Sequence, residues 1–223
     1  EPGWATPDSG APGRHRVTVL HIEDDPLWAK VTAHTISRWP EFRLVGTVLT
    51  GSDGIARCRE LAPEIVVLNL RLPDIDGFEV LSTIRGLIPP PRVLLLTCRN
   101  DDVVLHHTTS PSISGLLPKS ADYKTELRTA LLAIARGGRY VSAAVREQAR
   151  EFRSRPEAFF KLLTNSEIKV LQLIASGFCD AEIAAWLGTA EATAHSHRQR
   201  IMQKLEIHSS TELVLWALDK GFA

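Results

Sequence analysis

Four short stretches, far apart in the chain, carry polar residues at the ends of apolar runs. Glu23-Asp24-Asp25 follows Val17–Ile22, and Asn69 follows Ile65–Leu68. Thr97 ends Val93–Leu96, and Lys119 stands just beyond Gly115–Leu117. Carboxylates such as Glu23 and Asp24 can hold a hard Mg²⁺ ion through oxygen. A hydroxyl and an ammonium can take phosphoryl oxygens as charge develops on them. Asn69 breaks the set. An amide is neutral and does not attack phosphorus, whereas a carboxylate does. With Asp at 69 the site would carry −2 after counting Lys119; with Asn it carries −1. Only weak Mg²⁺ binding, at Asp24, is expected, and no cofactor. Any one of these residues alone would be solvated surface. Their order along four strand ends, with Pro73-Asp74-Ile75-Asp76-Gly77 after the third, makes a shared site the better reading.

A second constellation lies near the C-terminus. Between Glu191 and Leu205 the chain is amphipathic at helical spacing. Ala194, His197, Ile201 and Leu205 fall on one stripe and are expected to face a core. His195, Ser196, Arg198, Gln199, Arg200 and Gln203 occupy the other faces. His195 and His197 do not make a metal pair, because alternate residues on a helix point apart. For His197 a packed core histidine is the expected role.

These residues need elements to position them. From Arg16 to Gly137, short apolar runs alternate with helical segments, which implies parallel strands with helices on both faces. The strands lack strict polar alternation, as in a sheet buried on both sides. Sites in such sheets form beyond the carboxyl ends of the strands. The segment Val103–Ser114 is a poor fourth helix, with β-branched residues, serines and Pro111. Residues 138–160 read as a partly helical linker; six arginines fall between 136 and 155. From 161 the chain is helical only. Thr164 with Glu167 three residues on is a capping box, and Gly177 suits a helix C-terminus. A helix, a turn with Gly188 and a second amphipathic helix form a helix-turn-helix pattern.

Composition bounds the rest. The 223 residues suffice for two modest domains, and Lys+Arg and Asp+Glu are both 26. Residues 156–223 carry six Lys/Arg against eight Asp/Glu, so basic charge there is focused on one helix. Cys58, Cys98 and Cys179 have no metal-ligand spacing and are expected to be reduced thiols. No apolar run reaches the roughly 20 residues of a membrane span, and no signal sequence opens the chain. A cytoplasmic location is expected. Residues 1–15, rich in Pro and Gly, are expected to be a disordered tail.

Residues 16–137 resemble the receiver domain of two-component regulators. The resemblance implies a flavodoxin-like, five-stranded, parallel doubly wound sheet. It places Glu23 and Asp24 at the acidic pair, Asn69 at the phosphoacceptor, Thr97 at the switch hydroxyl and Lys119 at the pocket lysine. Leu116 stands where the family has a switch aromatic. The string LTNSEIKVLQLIASGFCDAEIAAWLGTAEATAHSHRQRIMQKLEIHSSTEL, within 161–223, resembles the LuxR-type helix-turn-helix. Together they give the NarL/FixJ-type architecture. The resemblance implies that His195, Ser196 and Gln199 read bases, while Arg198, Arg200 and Lys204 contact phosphates. It further implies a homodimer on an inverted repeat of double-stranded DNA. The pairing contact would be the last helix, through Thr211, Leu215 and Trp216, although Trp216 serves equally as a core anchor. Ala190 replaces the usual serine cap, leaving Thr189 as the expected substitute.

The expected function is transcription regulation without aspartate phosphorylation. Loss of the acceptor, the aromatic and a regular fourth helix together points that way. The alternatives are a conventional phospho-regulator in an Asp-to-Asn variant form, a receiver that senses a small molecule or protein partner, and an adaptor that no longer reads DNA. An enzyme is least expected, since no nucleophile–base pair or cofactor loop is visible.

Overall fold

The computed structural model describes residues 15–120 and 122–222; most of the tail expected to be disordered lies outside them. The sheet follows the order β2-β1-β3-β4-β5-β6, with every pair parallel. Its strands are β1 (Val17–Ile22), β2 (Phe42–Val48), β3 (Ile65–Leu68), β4 (Arg92–Thr97), β5 (Gly115–Pro118) and β6 (Tyr140–Val141). The sequence leads one to expect five strands; the sixth has two residues and pairs with β5. Strand order reverses between β1 and β3, and a crevice opens at that switch point beyond the carboxyl ends. Glu23, Asp24 and Asn69 stand there.

Five helices cover the first five strands: α1 (Pro26–Ser37), α2 (Gly51–Leu61), α3 (Gly77–Arg85), α4 (Asp102–His107) and α5 (Tyr123–Ala135). Local chemistry starts four of them. Asp25, Thr50, Asp76 and Asp101 each accept a backbone N–H of the first helical turn. Helix α4 is only six residues long, as its sequence leads one to expect. Gly77 is required at the start of α3, because a Cβ there would lie 2.5 Å from the Leu70 Cα. That close approach fixes the loop after Asn69.

Apolar side chains form a cluster on each face of the sheet. Ile36, Leu127, Leu131 and Ile134 of α1 and α5 cover one face. The cluster on the other face, with Val66, Leu68, Ile84 and Val104, runs on without a break into the C-terminal helices through Phe152 and Phe159.

The stretch read as a linker is almost wholly regular. It forms β6, α6 (Ala143–Ser154) and α7 (Phe159–Leu162). Three of its arginines have partners in the receiver-like part. Arg139 donates to the carbonyls of Thr108 and Ser110, Arg153 to the Thr108 hydroxyl, and Arg155 pairs with Asp102 at 3.4 Å. Beyond it lie α8 (Asn165–Ala175), α9 (Asp180–Leu187), α10 (Glu191–Leu205) and α11 (Ser210–Asp219). Thr164 and Glu167 form the expected capping box on α8. Gly188, at φ +65°, closes α9 in the left-handed conformation. No side-chain oxygen caps α10, so Thr189 does not take the place of the missing serine.

The last described residues pack against α4 and the loop before it. Val103 N–H donates to the Lys220 carbonyl at 3.1 Å, and the Arg99 guanidinium donates to the Gly221 carbonyl. Gly221 has φ +86°, and a Cβ there would overlap the Asp101 carboxylate. Phe222 meets Phe159 edge-on at 4.9 Å. Among the described residues, no helix is long and apolar enough to cross a membrane.

Candidate functional site

The five pocket residues expected from the sequence converge at the switch point. Glu23 and Thr97 are buried, and Asn69 is 4% exposed. Asn69 Nδ2 donates to Asp24 Oδ1 at 2.7 Å and to the Arg71 carbonyl at 2.9 Å, and lies 3.3 Å from Glu23 Oε1. These partners fix the amide's orientation. The reversed amide would set an oxygen against three acceptors, none able to donate. Lys119, with its side chain 4% exposed, reaches both oxygens of Glu23 at 2.6–2.7 Å. Burial pushes the Glu23 carboxyl above the usual carboxylate range, and the Lys119 ammonium opposes that rise.

The donor set does not suit Mg²⁺. A hard cation needs oxygen ligands converging on one point. Here an N–H group faces Asp24 and Glu23 where a third oxygen would be required. The amide bridges the two acids as a cation otherwise would. Thr97 also looks elsewhere: its hydroxyl accepts the Arg99 backbone N–H at 3.1 Å. Leu116 is buried in the core.

Three residues not singled out in the sequence shape this pocket. The ring of Trp28 lies 5.3 Å from the Lys119 ammonium, a cation–π contact on its open side. Arg71 and Arg99 line a cavity of about 510 Å³ together with Trp28, Asp24 and Asp101. Arg99 pairs with Asp101 at 2.7 Å and Asp76 at 3.6 Å while holding the Gly221 carbonyl. It therefore joins the pocket rim to the chain's last residues. A charged residue two places past a strand-end threonine gives no sequence signal for a partner 122 positions away.

Helices α8 to α11 arrange the second constellation. On α10 the buried residues are Ala194, Arg198, Ile201 and Met202. This shifts the expected stripe: His197 is only half-buried, and Arg198, expected to face outward, turns in and is 9% exposed. The physical reason is Asp180 at the start of α9. Its Oδ1 accepts Arg198 Nε at 2.7 Å, and Arg198 Nη2 lies 3.4 Å from the Phe178 carbonyl. Asp180 Oδ2 lies 3.0 Å from His195 Nδ1. Partial burial would raise the Asp180 carboxyl, but Arg198 and His195 together hold it below its ordinary range. His195, Ser196, Gln199 and Arg200 are exposed on the same helix. Lys204 is exposed and pairs with Glu167 of the capping box at 2.7 Å.

On α11, Thr211 is exposed and Leu215 is 62% exposed. Trp216 is half-buried and stacks on Phe222 at 6.2 Å, with the Lys220 ammonium 5.9 Å from its ring. It faces the junction with α4 and α7, while Thr211 and Leu215 face out.

Comparison with known proteins agrees with this architecture. Residues 19–132 match the response regulator receiver domain, and residues 161–217 match bacterial regulatory proteins of the luxR family. The chain is 27% identical over 208 residues to the transcriptional regulatory protein MctR of Rhizobium johnstonii, covering 93% of this chain and 96% of that protein. It is 25% identical over 201 residues to the response regulator VraR of Staphylococcus aureus, covering 90% and 96%. Its fold is similar to that of RcsB from Salmonella enterica serovar Typhimurium bound to promoter rprA with the phosphomimetic BeF3−. The TM-score is 0.67 at 22% identity, covering 92% of this chain and 99% of that one.

Proposed function

The chain belongs to the response regulators, joining a receiver domain to a luxR-family regulatory domain, and from that premise we propose a DNA-binding transcription regulator not controlled by aspartate phosphorylation. The observation that carries the second half is the Asn69 amide. It offers no nucleophile, and its N–H groups occupy the acids that a metal-dependent phosphotransfer would need. With Lys119 bound to Glu23, one of the pocket's two acidic charges is compensated from within.

In this reading His195, Ser196 and Gln199 read base edges in the major groove, and Arg200 and Lys204 contact phosphates. Arg198 supports α10 from below through Asp180. One recognition helix covers few base pairs, so specificity calls for two half-sites and hence a homodimer on an inverted repeat. Thr211 and Leu215 are the outward residues of α11 for that contact, with Trp216 behind them. The protein works in the cytoplasm, where its DNA is.

Genome-wide footprinting followed by sedimentation of the full chain on the recovered sites tests this reading. Dimers on an inverted repeat, formed without phosphodonor, are expected. A strict monomer that binds one half-site as tightly as the repeat would contradict it.

A second reading, a receiver that senses a small molecule, is favoured by the cavity beside Asn69, lined by Trp28, Arg71 and Arg99. A metabolite that protects Trp28 fluorescence from quenching and alters DNA affinity would support it. Unchanged affinity with the ligand bound would count against it.

A further inference from the structure

We propose that Asp180 is a positioning residue that fixes the ring of His195 and thereby sets which base His195 reads. The proposal rests on the reading of His195 as a base contact. The geometry is a three-residue relay between the two helices of the helix-turn-helix. Asp180 opens α9; His195 and Arg198 lie on α10, three residues apart and therefore on one face. One carboxylate oxygen takes Arg198 Nε at 2.7 Å, and the other takes His195 Nδ1 at 3.0 Å. Arg198 is buried and additionally anchored to the Phe178 carbonyl at 3.4 Å. The carboxylate is thus held before any DNA arrives.

An ionised carboxylate only accepts hydrogen bonds. His195 Nδ1 must then carry the hydrogen, and in the neutral ring Nε2 bears the lone pair. Nε2 is the ring atom farther from the backbone, on a side chain 58% exposed. In the neutral ring the group offered to the groove is therefore an acceptor. In the major groove an acceptor matches the exocyclic amine of adenine or cytosine. It opposes guanine O6 and N7 and thymine O4, which are acceptors themselves. Asp180 thus makes His195 a reader of amine-bearing bases.

Asp180→Asn tests the idea while keeping size and shape. The amide oxygen can still accept Arg198 Nε, but the amide nitrogen now donates to His195 Nδ1. The ring hydrogen moves to Nε2, which becomes a donor. Full-length wild type, Asp180→Asn and His195→Ala are each selected against a duplex pool randomised over the half-site, and then titrated on the preferred sequences. Wild type is expected to favour adenine or cytosine at one position by about tenfold, the cost of a typical mismatch. Asp180→Asn is expected to favour guanine or thymine at that same position, and His195→Ala to be indifferent there. If His195→Ala changes no position, the base-reading role fails, and the proposal with it. If His195→Ala erases a preference that Asp180→Asn leaves intact, the base-reading role stands and the proposal falls. A measurement without variants of Asp180 guards against misfolding. Imidazole ¹⁵N shifts of the free full-length protein, with the His195 signals identified by their loss in His195→Gln, report the tautomer directly. Hydrogen on Nδ1 is expected; hydrogen on Nε2 in the neutral ring overturns the proposal.

Discussion

Replacing Asn69 by Asp should turn a self-satisfied pocket into one that needs a cation. The Asn69 nitrogen lies 2.7 Å from Asp24 Oδ1, 2.9 Å from the Arg71 carbonyl and 3.3 Å from Glu23 Oε1. An oxygen at that place meets acceptors on every side. Each lost hydrogen bond to a charged partner is worth about 1.5–3 kcal/mol. Two carboxylates at about 4 Å repel by about 4 kcal/mol at an effective dielectric of about 20. Lys119 offsets part of this, and protonation of one acid relieves more, burial already favouring the neutral form of Glu23. A net loss of about 3–5 kcal/mol in EDTA at neutral pH is expected. At about 2–4 °C per kcal/mol, the melting temperature falls by roughly 10 °C. Mg²⁺ should restore about 2.7 kcal/mol once its concentration reaches about 100 times its Kd. The wild type should ignore Mg²⁺. Thermal melts of both proteins, with EDTA and with Mg²⁺, make the comparison. A wild type stabilised by Mg²⁺ as much as the variant, or a variant as stable as wild type in EDTA, would refute the reasoning.

Other outcomes follow from the same contacts. Arg99→Ala leaves Asp101 unpaired and the Gly221 carbonyl without its donor, so the Val103 amide, which donates to Lys220, should exchange with deuterium at least tenfold faster, about 1.4 kcal/mol; unchanged exchange would show that Arg99 does not hold the chain end. Burial lowers His21 to about 3 and His107 to about 4, with smaller effects from Lys119 on the first and from His106 on the second. Because both folded values lie below the unfolded 6.5, their stability contribution is complete above about pH 6.5 and is lost as pH falls toward 4. The unfolding free energy from urea titrations should drop by about 1.4 kcal/mol per pH unit for each histidine in that window, and His107→Phe should remove one proton from the slope; a flat profile from pH 6.5 to 5 would contradict this. Gln199→Ala should cost about 1–3 kcal/mol on the preferred site and little on random DNA, whereas Arg200→Ala should weaken both and lower the salt slope by about one; equal losses from the two variants on both DNAs would reverse these roles.

The pocket was legible because strand ends announce themselves. An apolar run followed by Glu23-Asp24, Asn69, Thr97 or Lys119 marks a carboxyl end, and parallel topology does the rest. The capping box of Thr164 and Glu167 and the turn at Gly188 follow from strictly local chemistry, which a linear string records well. Pairings across elements were not legible. Arg198 looked like a phosphate contact because helical periodicity alone cannot see Asp180, 18 residues earlier, drawing it inward. Arg139, Arg153 and Arg155 carried no signal beyond an arginine-rich linker and Arg99 carried none, yet each has a fixed partner at or near the short fourth helix or the chain end. The linker, expected to be partly helical, is more regular than that, because Val145, Ala149 and Phe152 fall at helical spacing and join the core.

On the function proposed above, this receiver does not run on aspartyl phosphate. Intact mass and DNA affinity of the full chain, measured before and after incubation with Mg²⁺ and acetyl phosphate, test it together. An unchanged mass and an unchanged Kd for the inverted repeat are expected, since Asn69 offers no carboxylate. A stoichiometric gain of one phosphoryl group accompanied by tighter binding would contradict it.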